Sequence, residues 1–110
     1  MQLQDGCDIF TLQAQFYKLF ANSLRLQIVW ELGDGEMTVT ELSDHLEVTV
    51  SNVSQHLRVM RALGVVRARR DGQRQFYRIT NPRFLEGVRV MQQGILEINQ
   101  ERGSNGGFTP

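Results

Sequence analysis

Apolar residues recur at helical spacing along much of this chain, and polar turn signals divide it into short elements. Residues 8–21 align Ile9, Leu12, Phe16, Leu19 and Phe20 on one side and predict a first helix. Asn22 or Ser23 then serves as N-cap for a second helix over residues 24–32, which Gly33-Asp34-Gly35 stops. Thr38 followed three residues later by Glu41 is a capping box, and it opens a short helix to about Leu46. Glu47-Val48-Thr49 makes a tight connection, after which Thr49 caps a helix over residues 50–63 that Gly64 ends. Val53, Leu57 and Met60 form its apolar stripe.

Residues 65–70 and 73–79 read as two strands of a hairpin. Asp71-Gly72 between them suits a two-residue type I′ turn, whose central positions both need positive φ. Phe76, Tyr77 and Ile79 are expected to anchor the second strand to the core. Asn81 and Pro82 then start a long helix to about Gln100, with Phe84, Leu85, Val88, Met91, Ile95 and Ile98 along one side. Two short helices joined by a tight turn and followed at once by a hairpin are a winged helix-turn-helix arrangement. The fold class is therefore mainly α with a two-stranded β-hairpin. Residues 1–101 are expected to form one winged helix-turn-helix domain, and residues 102–110, RGSNGGFTP, are expected to be a disordered tail.

Composition sharpens this picture in one respect. Hydrophobic residues make up 41% and charged residues 22% of the 110, as in an ordinary globular chain, and the net charge is zero. The charge is nevertheless segregated. Residues 1–50 hold eight acidic side chains and only Lys18 and Arg25 as bases. Residues 51–89 hold nine arginines against Asp71 and Glu86, a local charge of +7. A face meeting a polyanion and a solvated arginine-rich surface both fit that segregation. No apolar run is long enough to span a bilayer, and the N-terminus lacks the pattern of a secretory signal, so a cytoplasmic location is expected.

The candidate chemistry lies on the helix over residues 50–63. Ser51, Ser54, Gln55 and Arg58 fall at i, i+3, i+4 and i+7, away from the apolar stripe, and Asn52 lies beside them. Serines permit close approach to a phosphate backbone, Asn and Gln bond base edges, and Arg pairs with guanine or phosphate. No acidic residue occurs from position 48 to position 70. The hairpin tip adds Arg69, Arg70 and Arg74, which repel one another when unpaired and which a phosphate partner would relieve.

Residues 21–79 resemble the DNA-binding core of the ArsR/SmtB family. The resemblance is carried by ANSLRLQIVWEL and by GEMTVTELSDHLEVTVSNVSQHLRVMRALGVVRARRDGQRQFYRI. Its most specific parts are Val53-Ser54-Gln55-His56-Leu57 and Leu63-Gly64-Val65-Val66. It implies a transcription regulator in which Ser51, Ser54, Gln55 and His56 meet the major groove. The chain departs from the family at Val50, where relatives often carry Gln; a valine there suits a thymine methyl.

The sensing motifs of the family are mostly absent. Thr38 and Thr40 stand where metal sensors carry a Cys-x-Cys pair, and hydroxyls are poor ligands for soft metals. The last helix has no histidine, and Trp30 occupies one of the positions of a two-cysteine redox switch. His45 and His56 lie in the helix-turn-helix, as structural or DNA-proximal groups rather than ligands. No metal and no cofactor is expected. Cys7, the only thiol, is a candidate redox residue or an incidental free cysteine, and nearby Asp5 and Asp8 should blunt its reactivity.

A small winged domain has too little interior to bury apolar stripes on both its first and last helices. Self-pairing of these helices would cover Phe10, Phe16, Phe20, Val88, Met91 and Ile95 in a homodimer. The expected partners are a second copy of the chain and double-stranded DNA with an inverted-repeat operator, with no membrane partner and with a small-molecule or redox effector. The expected function is repression, relieved by a signal that the sequence does not name. The rival is a winged-helix protein-interaction or architectural module with only non-specific DNA binding. No nucleophile motif, Gly-rich phosphate loop or paired-carboxylate signature points to an enzyme.

Overall fold

The computed structural model describes residues 3, 4, 6 and 8–103. Cys7 and most of the expected tail, residues 104–110, lie outside the described residues. The elements run α1 (Ile9–Phe20), α2 (Ser23–Leu32), β1 (Glu36–Thr38), α3 (Val39–Leu46), α4 (Val50–Ala62), β2 (Val66–Asp71), β3 (Arg74–Ile79) and α5 (Pro82–Gly103).

Local signals set these boundaries. Asn22 accepts a hydrogen bond from the Arg25 amide and caps α2. Thr38 and Glu41 form the reciprocal capping box of α3: the Glu41 amide donates to Thr38 Oγ1 at 3.1 Å and the Thr38 amide to Glu41 Oε1 at 2.9 Å. Thr49 Oγ1 accepts from the Asn52 amide at the start of α4. Helix α4 ends one residue earlier than expected, in a Schellman motif. The Gly64 amide donates to Arg61 O and the Val65 amide to Met60 O, and the φ of +86° at Gly64 is one that a side chain would oppose. Helix α5 runs three residues past its expected end and crosses the expected domain limit at residue 101.

The sheet differs from the expected hairpin in two ways. It has three antiparallel strands in the order β1-β3-β2, because Glu36–Thr38 adds an edge strand beside β3. That strand is only three residues long and runs directly into a helix cap, which masks its alternation. The turn also sits one residue later than expected. Asp71 pairs with Arg74, so Gly72-Gln73 are the central residues, and only Gly72 has positive φ, at +65°. A glycine at the first central position alone is the type II′ arrangement rather than type I′.

The core lies where α2, α3, α4 and the inner face of the sheet meet. Ile28, Leu42, Val53, Leu57, Met60 and Val65 are completely buried. Each such side chain contributes about 1.5–3 kcal/mol relative to an exposed position. Strand alternation sends Val66, Ile79 and Tyr77 inward. Phe76, expected to anchor the strand as well, cannot share a face with its neighbour Tyr77 and lies on the outer side of the sheet under two arginines.

Candidate nucleic-acid interface

The turn between α3 and α4 fixes how α4 is presented. Glu47 adopts a left-handed conformation with φ +56°, and the amides of Glu47 and Val48 both donate to the Ser43 carbonyl. The buried Ser43 hydroxyl donates to the Val48 carbonyl and closes the turn. Val53, Leu57 and Met60 then face the core, so the opposite side of α4 is turned outward. Ser51, Asn52, Gln55 and Arg58 are exposed there and Ser54 is half-buried. Among the described residues, none of these five side chains makes a hydrogen bond or ion pair within the chain. Val50 stands beside them, 47% exposed. The result is a helix face with free amide, hydroxyl and guanidinium groups, the set that bonds base edges and phosphates.

His56 is placed differently. Its ring is half-buried toward α2, and Arg25 Nε donates to its Nδ1 at 3.1 Å. Arg25 also donates to the Leu19 carbonyl at the end of α1. Burial first, and the Arg25 charge second, hold the His56 pKa below its ordinary value. The ring is therefore neutral at physiological pH, with Nδ1 engaged and Nε2–H as its remaining donor. His45 is exposed, with Nδ1 3.8 Å from Glu31.

The wing corrects the expectation of unpaired arginines. Arg69 makes a bidentate pair with Glu36, with Nε 2.9 and 3.0 Å from the two carboxylate oxygens. Arg74 lies 3.9 Å from Glu41. Both guanidinium groups lie over the Phe76 ring, with Cζ 4.7 and 5.1 Å from its centroid. Among the described residues, Arg70 makes no such pair. The acidic partners come from β1 and from the capping box of α3. Both lie more than 30 residues away along the chain, so local reading misses them.

The α1–α5 side is of another kind. A groove of about 710 Å³ runs between these helices, lined by Ile9, Leu12, Phe16, Phe20, Phe84, Val88, Met91 and their neighbours. Phe16 stacks on Phe84 with centroids 5.8 Å apart, and Phe20 lies against the same ring. Of the six expected dimerisation residues, Val88 is buried within its own chain and Phe16 and Phe20 are half-buried. Phe10, Met91 and Ile95 stand exposed at 70%, 61% and 45%. Trp30, also exposed, carries Arg89 over its ring. Among the described residues, no group of three or more His, Cys, Asp or Glu could hold a metal ion, and no helix is long and apolar enough to cross a membrane.

Comparison with known proteins places this geometry in a family. Residues 22–68, which run from the cap of α2 into the wing, match the model of the bacterial regulatory proteins of the arsR family. The chain is 35% identical over 95 residues to Rv0081 of Mycobacterium tuberculosis, named as an uncharacterised HTH-type transcriptional regulator, and this covers 86% of the chain and 83% of that protein. The chain belongs to the arsR family. The crystal structure of Rv0081 superposes on this family member with a TM-score of 0.77 at 33% identity, over 87% of this chain and 97% of that one. KmtR of M. tuberculosis, an HTH-type transcriptional regulator, is 39% identical over 74 residues; the match spans 67% of this chain and only 57% of KmtR. Mb0332 of Mycobacterium bovis, solved as a homodimeric winged helix-turn-helix DNA-binding domain, aligns with a TM-score of 0.70 at 29% identity over 84% of this chain and 85% of that one. The winged helix-turn-helix fold and a role in transcription regulation through DNA binding follow from this membership.

Proposed function

We propose that this arsR-family protein is a homodimeric repressor that binds an inverted-repeat operator and is released by a chemical signal. Ser51, Asn52, Ser54, Gln55 and Arg58 read base edges and adjoining phosphates, with Val50 against a thymine methyl, and the wing bearing Arg69, Arg70 and Arg74 lies along the backbone. The observation that carries this reading is the outward face of α4, where five polar side chains keep their hydrogen-bonding capacity free while the opposite face is locked into the core. Self-pairing through α1 and α5 is supported by the exposed Phe10, Met91 and Ile95, and by the homodimeric state of Mb0332. A two-fold dimer presents two copies of α4 about one DNA turn apart, which a palindrome matches.

Selection from a random-sequence DNA pool at two salt concentrations tests this. Enrichment of an inverted repeat at both concentrations is expected. Retention of DNA with no enriched sequence, lost as salt rises, would instead favour an architectural or protein-binding winged domain.

A further inference from the structure

The outer face of the wing holds an arrangement that the DNA-binding reading does not require. Strand register places Arg67 and Arg69 of β2, Arg78 and Phe76 of β3, and Glu36 of β1 on the same side of the sheet. Arg69 does not extend from this surface. It crosses β3, passes over the Phe76 ring, and closes a fork onto Glu36 with Nε bonded to both carboxylate oxygens and a terminal nitrogen bonded to one. Glu36 sits directly opposite Arg78, whose charge favours the carboxylate too. The hydrogen bonds from Arg69, above all, hold the Glu36 pKa below the usual carboxylate range. Arg70 projects to the other side of the strand and has no such partner among the described residues, and Arg74 touches Glu41 only at 3.9 Å.

We propose that Glu36 is a specificity-determining residue that withdraws Arg69 from the DNA backbone, so that of the three arginines at the wing tip Arg70 and Arg74, and not Arg69, grip phosphate. The proposal rests on the DNA-binding reading above and adds a negative element to it. A phosphate contact strengthens binding to every sequence alike and so does not discriminate. What matters for a regulator is the ratio of operator binding to binding elsewhere. Pairing one wing arginine internally lowers the indiscriminate part while leaving the face of α4 untouched. The pair also resists displacement by DNA. If Arg69 moved to a phosphate it would give up a fork already oriented by Phe76, and it would leave Glu36 as a bare carboxylate beside a polyanion.

The test is the salt dependence of binding to a random-sequence duplex, read by fluorescence anisotropy for the full chain and four variants. Each phosphate neutralised adds about 0.9 to the slope of log affinity against log salt. Glu36→Gln is expected to steepen the slope by about 0.9 per protomer and to tighten random-sequence binding. Arg69→Ala should leave the slope at the wild-type value, and Glu36→Gln added to Arg69→Ala should not steepen it. That last comparison removes the same negative charge without Arg69 present, and so separates release of Arg69 from a general change in net charge. Arg69→Lys keeps the charge, cannot close the fork, and should steepen the slope in the same direction as Glu36→Gln. Flattening by Arg69→Ala alone would mean that Arg69 already touches phosphate, and the proposal would fall. An unchanged slope in both Glu36→Gln and Arg69→Lys would overturn it as well, while salt-dependent binding by the wild type would leave the DNA-binding reading standing. Absence of wild-type binding to duplex DNA would remove that reading and this proposal together.

Discussion

The helix-turn-helix unit and the α1–α5 pair treat apolar residues in opposite ways. In the first, Leu42, Val53, Leu57 and Met60 are completely buried, and capping side chains close the N-termini of α3 and α4. In the second, Phe10, Tyr17, Val90, Met91 and Leu96 are all at least 60% exposed. The two regions are comparably apolar along the sequence, so the difference lies in what each finds to pack against. The helix-turn-helix is completed by its own chain. The outer side of α1 and α5 leaves these side chains exposed, and large exposed apolar patches are a mark of interaction surfaces.

The sharpest way to break this contrast is to damage the interior. Leu57→Ala removes a completely buried side chain from the centre of α4, with α3 and the sheet around it. A loss of about 2–5 kcal/mol in urea unfolding is expected, from transfer and cavity terms together. A cost under about 1 kcal/mol would mean that the core collapses readily around the gap and is less finished than its burial suggests.

The flank should respond to concentration instead. If α1 and α5 pair between two copies, the thermal midpoint of the wild type rises with protein concentration, since association and folding are linked. Met91→Glu places a carboxylate in the middle of that surface. It should weaken dimerisation roughly a hundredfold or more, about 3 kcal/mol, and abolish the concentration dependence. Sedimentation of the wild type as a single protomer at micromolar concentration would remove the dimer and leave the groove between α1 and α5 to some other occupant.

Legibility in the sequence follows the same division. Caps are local, and the capping box at Thr38 and Glu41 and the caps at Asn22 and Thr49 are all readable from three or four consecutive residues. The buried stripe of α4 is equally local, because its periodicity is fixed by the helix itself. What escaped depends on pairing between distant segments. β1 is visible only once β3 lies beside it, and Phe76 changes face with a one-residue difference in reading. The candidate site divides likewise. The polar face of α4 could be listed from spacing alone, whereas the charge of the wing could not, because Glu36 and Glu41 reach Arg69 and Arg74 only through the sheet. Counting arginines overstated the free charge at the tip.

Arg25 is where the two regions meet, and it gives the smallest expected effect. One of its nitrogens donates to the Leu19 carbonyl at the end of α1 and another to Nδ1 of His56 in α4. An accepting Nδ1 requires a neutral ring, and protonation would set a second cation against the guanidinium. Burial and Arg25 accordingly lower the His56 pKa in the folded protein. An unfolded chain takes up the same proton near pH 6.5. As the pH falls below that value, the unfolded state binds a proton that the folded state still refuses, so stability declines until the lower folded pKa is passed. His56→Gln keeps an acceptor for Arg25 and removes the titration. Urea unfolding of both proteins between about pH 7.5 and pH 5 should show the wild type losing stability relative to His56→Gln across the acid half of that range. Parallel curves would mean that His56 titrates alike whether folded or not, and that the link from α1 through Arg25 to α4 does not depend on a neutral ring.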